Sequence, residues 1–83
     1  MKIKGFEKGK NQIPIGKKWQ LLAELKKALN VHSDRGVYMY SSGNIILKDP
    51  SKIQAIDSVF RSFGITEWAD EVTNDDNNDN NIQ

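Results

Sequence analysis

Eighty-three residues with no cysteine and a single histidine make one small domain and exclude both disulfide staples and Cys/His zinc sites. Residues 1–66 carry all 12 Lys and Arg against five acids, a balance of +7, whereas residues 67–83 carry six acids and no base. No apolar run approaches the length of a membrane span, and the first residues lack the apolar stretch of a signal peptide, which predicts a cytoplasmic protein with no membrane association.

In chain order, MKIKGFE alternates imperfectly and predicts a first strand, followed by the turn-like cluster KGKN. QIPIG offers a short second strand, which Pro14 confines to an edge because it cannot donate a ladder hydrogen bond. Residues 11–15 are therefore left open between strand and irregular chain. From Lys17 to about Asn30 the period changes to that of a helix, with Leu21, Leu22, Leu25, Ala28 and Leu29 on one apolar stripe. Gln20, Glu24 and Lys27 fall opposite, and Trp19 and Lys26 lie two turns apart along one flank.

NVHSDRG breaks this pattern, and VYMY and NIIL then read as two strands joined by SSGN, with Gly43 free to take a positive φ at the tip. That pairing sets Tyr38, Tyr40, Ile45 and Leu47 on one face and Val37, Met39 and Ile46 on the other. The first face is the expected core. Asp49 then caps a second helix that starts at Pro50, with Ile53, Ile56, Val59, Phe60 and Phe63 as its buried stripe. Gly64 supplies a left-handed exit that lets Ile65 fold back, and TEWADEV adds a turn capped by Thr66 with Trp68 docked on the body.

The order β(β)αββα predicts an α+β two-layer sandwich, with two amphipathic helices on one face of a three- to four-stranded antiparallel sheet. This domain spans residues 1–72, and residues 73–83 form an Asn/Asp-rich acidic tail expected to be disordered. Residues 38–60, YMYSSGNIILKDPSKIQAIDSVF, resemble the hairpin and following helix of a TATA-box-binding-protein repeat, where a Ser-Ser-Gly turn also joins two strands. The resemblance implies a fold fragment and no function.

Catalytic signatures are weak. His32 stands beside Ser33, Asp34 and Arg35, but a triad needs groups that converge in space, and SDRG is ordinary turn chemistry. GKNQIPIGKKW lacks the Lys-Ser/Thr ending of a phosphate loop, and the tail lacks the glutamate and glycine of a calcium loop. The expectation is a non-enzymatic protein without metal or cofactor.

The basic residues point elsewhere. Lys2, Lys4, Lys8, Lys10, Lys17, Lys18, Lys26 and Lys27 crowd the first third of the chain, where phosphates would be bound with release of counterions. Trp19, within this cluster, offers a ring for an unpaired base. The leading expectation is therefore binding of RNA or another single-stranded nucleic acid by the N-terminal segment and first helix. The alternative is a protein-binding inhibitor or adaptor of viral or mobile-element type. It would block a host enzyme such as a nuclease or toxin through the sheet face carrying Val37, Met39 and Ile46. In either case the acidic tail can compete with phosphates for the basic body or serve only as a solvated end.

Overall fold

The computed structural model describes residues 1–73. In chain order they form β1 (Lys2–Ile3), α1 (Glu7–Lys10), a 3₁₀ turn (Ile15–Lys17), α2 (Lys18–Leu29), α3 (Asp34–Ser41), α4 (Pro50–Ser62) and β2 (Val72–Thr73). The expected sandwich is not what forms. Among the described residues, four helices accompany a sheet of only two antiparallel strands, β1 and β2, with Ile3 opposite Val72. The predicted tail lies outside the described residues except for Thr73, which belongs to β2 and so falls on the folded side of the predicted boundary.

The largest correction falls on residues 34–47. VYMY is not a strand of a hairpin but the body of α3, and only Leu47 makes a bridge, antiparallel to Ile3. The resemblance to a TATA-box-binding-protein hairpin fails with it. Two signals tip the segment toward helix. Ser33 Oγ accepts the Gly36 N–H at 3.2 Å, a cap that satisfies one of the free donors of the first turn. At the other end Gly43, with φ of 90°, lets its N–H reach the Tyr40 carbonyl and the Ile45 N–H reach that of Met39. The Ser-Ser-Gly turn is thus a helix exit, and tertiary packing has overridden the β preference of Val and Tyr. Val37 faces inward at 1% exposure while Tyr38 is exposed, the reverse of the hairpin expectation.

QIPIG forms no strand either. Ile13 is buried, and the chain then turns through the 3₁₀ element into α2. TEWADEV adds no helical turn; it runs as an extended strap to β2.

The two long helices match expectation in position and stripe, and α4 also in its caps. In α2, Leu21, Leu25 and Leu29 are buried, each contributing about 1.5–3 kcal/mol by leaving water. Asn30 closes α2 at φ 59°, with the Val31 and Asn30 N–H groups returning to the Lys26 and Lys27 carbonyls. In α4, Asp49 Oδ1 accepts the Ser51 N–H at 3.0 Å beside Pro50 at the first helical position. Gly64, at φ 82°, ends α4 with the same paired bonds, and Ile65 folds back into the core as expected.

The core is centred on three rings. Phe60 stacks on Trp68 at 5.4 Å between centroids, and Phe6 meets both edge-on at 6.0 and 6.1 Å. The Trp68 indole N–H donates to Asp57 Oδ1 at 2.9 Å, which satisfies its polar edge inside the cluster. The 65–73 strap is laced to the N-terminus as well. Asp70 accepts the Glu7 and Lys8 N–H groups at 2.9 and 2.8 Å, capping α1 from 62 and 63 residues away because Phe6 supplies no side-chain cap.

Candidate nucleic-acid interface

The nine residues expected to hold nucleic acid separate into two groups. Lys2 and Lys4 lie in and after β1, and Lys8 and Lys10 lie on α1. Lys17, Lys18, Trp19, Lys26 and Lys27 line the 3₁₀ turn and α2. The groups touch where the Lys18 ammonium donates to the Lys10 carbonyl at 3.0 Å.

The α1 group is largely committed to the fold. Ser41, fully buried, accepts from the Lys10 ammonium at 3.2 Å, and its hydroxyl lies within bonding distance of the Glu7 carboxylate and the Tyr38 carbonyl. Lys10 also pairs with Glu7 at 3.5 Å, so its charge serves a small internal network that nothing in the sequence announces. Lys8 reaches Glu67 on the strap at 3.5 Å, an exposed pair that a phosphate can displace at little cost. The stem of Lys4 lies against Gly43, where an added Cβ would meet Lys4 Cγ at 3.1 Å.

The α2 group is more open. With Leu21, Leu25 and Leu29 pointing inward, the helical repeat turns Trp19 and Ala23 outward and leaves Lys26 half-buried on the flank. Trp19 is 79% exposed and Ile15, one turn earlier, is 86% exposed. Together with half-buried Leu22 they line a shallow pocket of about 350 Å³, edged by Lys18 and Asp34. Lys26 is paired with Asp34, and Lys27 with Glu24 at 3.7 Å. Among the described residues Lys17 makes no ion pair. Lys17 and Lys26 stand nine residues apart, about 13 Å along the helix axis.

Three residues of this surface carry no binding signal in the sequence. Ile15 falls in the expected second strand, Leu22 on the apolar stripe and Asp34 in a turn. Continuing the four-residue spacing of Ala23 and Trp19 backward reaches Ile15, since the 3₁₀ turn leads directly into α2. Asp34 is joined to the surface only by tertiary packing.

The residues assigned to a protein-binding sheet face do not form one. Val37 is in the core, Met39 is half-buried on α3, and Ile46 is exposed in the segment after it. The expected loop around His32 is also resolved into separate tasks, Ser33 capping α3 and Asp34 holding Lys26.

A larger groove, of about 790 Å³, runs between α4 and the two strands, with Ile3, Ile53, Trp68, Ala69 and Val72 among its lining. Asp57 stands at its side, its carboxyl held below the usual carboxylate range chiefly by the Trp68 N–H. Partial burial opposes that shift and Arg61 adds to it. Lys8, Asp57 and Glu67 add charge to this otherwise apolar lining, whereas Ile15, Trp19 and Leu22 dominate the α2 pocket. Among the described residues no helix is long and apolar enough to cross a membrane. In comparisons with protein-family models, curated proteins and solved structures, the chain matches none of them.

Proposed function

We propose that this protein binds single-stranded nucleic acid, RNA foremost, on the outer face of α2. The observation that carries this reading is Trp19, a large aromatic ring left 79% exposed directly after two lysines at the basic start of that helix. A ring in this position adds nothing to the core, yet it offers a flat face to any unpaired base, with stacking worth about 1–3 kcal/mol. Lys17 and Lys18 supply phosphate contacts beside it. Lys26, two turns away, is held by Asp34 and adds no free charge to that edge. Two such contacts give a slope of log affinity against log salt of about −1.4 for a single strand.

The test is titration of the full chain with a fluorescently labelled oligouridine at several salt concentrations. Trp19→Ala should weaken binding about 5- to 150-fold, the equivalent of one lost stack, with Trp19→Phe retaining most of it. Changing Lys17 and Lys18 to Gln should flatten the salt slope. Unchanged affinity in both variants would overturn the reading.

A second reading is favoured by Ile15, which is even more exposed than Trp19 and has no ring to stack. Under it, the Ile15–Trp19–Leu22 surface is the docking site of a protein inhibitor or adaptor, with Trp19 as the anchor. Recovery of a bound protein that survives both nuclease treatment and high salt would favour this reading over the first.

A further inference from the structure

The pocket beside Trp19 is asymmetric in its polar edges, and that asymmetry bears on which base it takes. Ile15 and Leu22 wall it, Lys18 stands at one edge and Asp34 at another. A carboxylate is an unusual neighbour for a phosphate-binding ring, since it repels the backbone of the strand. It is, however, an acceptor with about four lone-pair sites. Asp34 Oδ1 is engaged by the Lys26 ammonium, and among the described residues Oδ2 accepts no hydrogen bond. The Lys26 contact fixes the carboxylate and offsets its charge, so the remaining acceptor capacity is available to whatever enters the pocket.

The geometry points to an unpaired guanine as the base preferred in this pocket, an assignment that rests on the single-strand reading above. Guanine is the one standard base whose Watson–Crick edge presents two neighbouring donors, the N1–H and the N2 amine, with no acceptor between them. A carboxylate meets both. Adenine and cytosine each set a ring acceptor beside their amine, and uracil flanks its single N3–H with two carbonyls, all of which oppose a carboxylate. Recognition of a splayed base by ring stacking and Watson–Crick bonds is the common mode for single-stranded RNA. In this arrangement Trp19 stacks on the base, Asp34 reads its edge, and Lys18 or Lys17 holds the adjacent phosphate.

The test compares the full chain against oligouridine and against the same oligomer with one central guanosine, inosine or adenosine. Inosine lacks only the N2 amine. Guanosine should bind about fivefold more tightly than inosine or adenosine, the low end for a bidentate base contact because Asp34 is exposed to water. Asp34→Asn, which replaces one acceptor by a donor, should equalise guanosine, inosine and adenosine; oligouridine should bind more tightly, because the charge that repels the strand is gone and Lys26 is released, and circular dichroism checks that α3 persists. Equal binding of guanosine and inosine oligomers, with oligouridine still bound through Trp19, would overturn the guanine assignment and leave the single-strand reading standing. No binding of any oligomer at low salt would overturn both.

Discussion

Gly9 tests the aromatic core most directly. It sits in α1, its N–H donating to the Trp68 carbonyl at 3.0 Å, with nothing but hydrogen between its Cα and the ring cluster. A Cβ added there would stand 2.5 Å from Trp68 Cβ and 2.8 and 2.9 Å from Phe60 Cε1 and Cζ. Trp68 Cβ is anchored to the backbone, and Phe60 is fully buried, so neither can swing aside. Overpacking of this kind costs about 1–3 kcal/mol, and contact with atoms this fixed places Gly9→Ala toward the upper end of that range. Alanine recovers up to about 1 kcal/mol as the better helix former, leaving a net loss of about 1–2 kcal/mol. For a domain of this size that corresponds to a fall in Tm of about 5–15 °C. Thermal melts followed by circular dichroism measure it. Gly16→Ala is the control, because no atom lies within 4 Å of its added Cβ, and it should be neutral or stabilising. A Gly9→Ala melt equal to or above that of the parent would refute the close packing of α1, α4 and the strap.

Three further outcomes follow from the structure and the charge pattern. Ser33→Ala should destabilise by about 1 kcal/mol in urea unfolding, as loss of a helix cap does, whereas a Ser33 in a simple loop before a hairpin would be silent. Asp57 has a folded pKa held below its ordinary value, so its contribution is present above the unfolded carboxylate pKa of about 3.9 and fades as pH falls through the lower folded value. Melts between pH 2 and 7 should therefore show a shallower acid loss for Asp57→Asn than for the parent; identical profiles would refute that linkage. Deleting residues 74–83 removes three aspartates and should tighten oligouridine binding at about 20 mM salt, where charges act over about 20 Å, and leave it unchanged at high salt. No change at low salt would make the tail a solvated end.

The legible elements of the fold were those with local signals at both ends. The long helices carried a four-residue apolar period, and Asp49, Pro50 and Gly64 marked the start and stop of α4 by chemistry that acts within a turn. Trp68 was also legible as a residue docked on the body, although its bond to Asp57 was not. The failure at residues 34–47 has a specific cause. Val, Tyr and Met in alternation fit a strand, Ser-Ser-Gly fits a hairpin tip, and the competing signal is a single capping serine. What decided between them was the burial of Val37 and Ser41 against other elements, which is information from the whole chain. Asp70 capping α1 is of the same kind, a local need met from more than 60 residues away. In the candidate interface, the lysines and Trp19 could be read directly, but which lysines are committed to the fold could not. Lys10 is equivalent to Lys17 in sequence, and only the fold brings Ser41 and Glu7 to draw it inward.

The two tryptophans divide the molecule's tasks and make them separately measurable. Trp68 is buried, stacked on Phe60, with its indole N–H held by Asp57. Trp19 is in water, and among the described residues its indole makes no hydrogen bond. Removing Trp68 therefore strips the core of a ring and leaves a buried cavity, at a cost of about 3–5 kcal/mol that a small domain cannot spare. Removing Trp19 takes away surface that the fold scarcely uses, and surface substitutions of that sort stay within about 0.5 kcal/mol. With Trp19 and Ile15 exposed on a helix whose opposite face already satisfies the core, the proposed binding on α2 draws nothing from the stability of the fold. It also follows that fluorescence of Trp19→Phe, whose one remaining indole is the buried Trp68, reports unfolding alone.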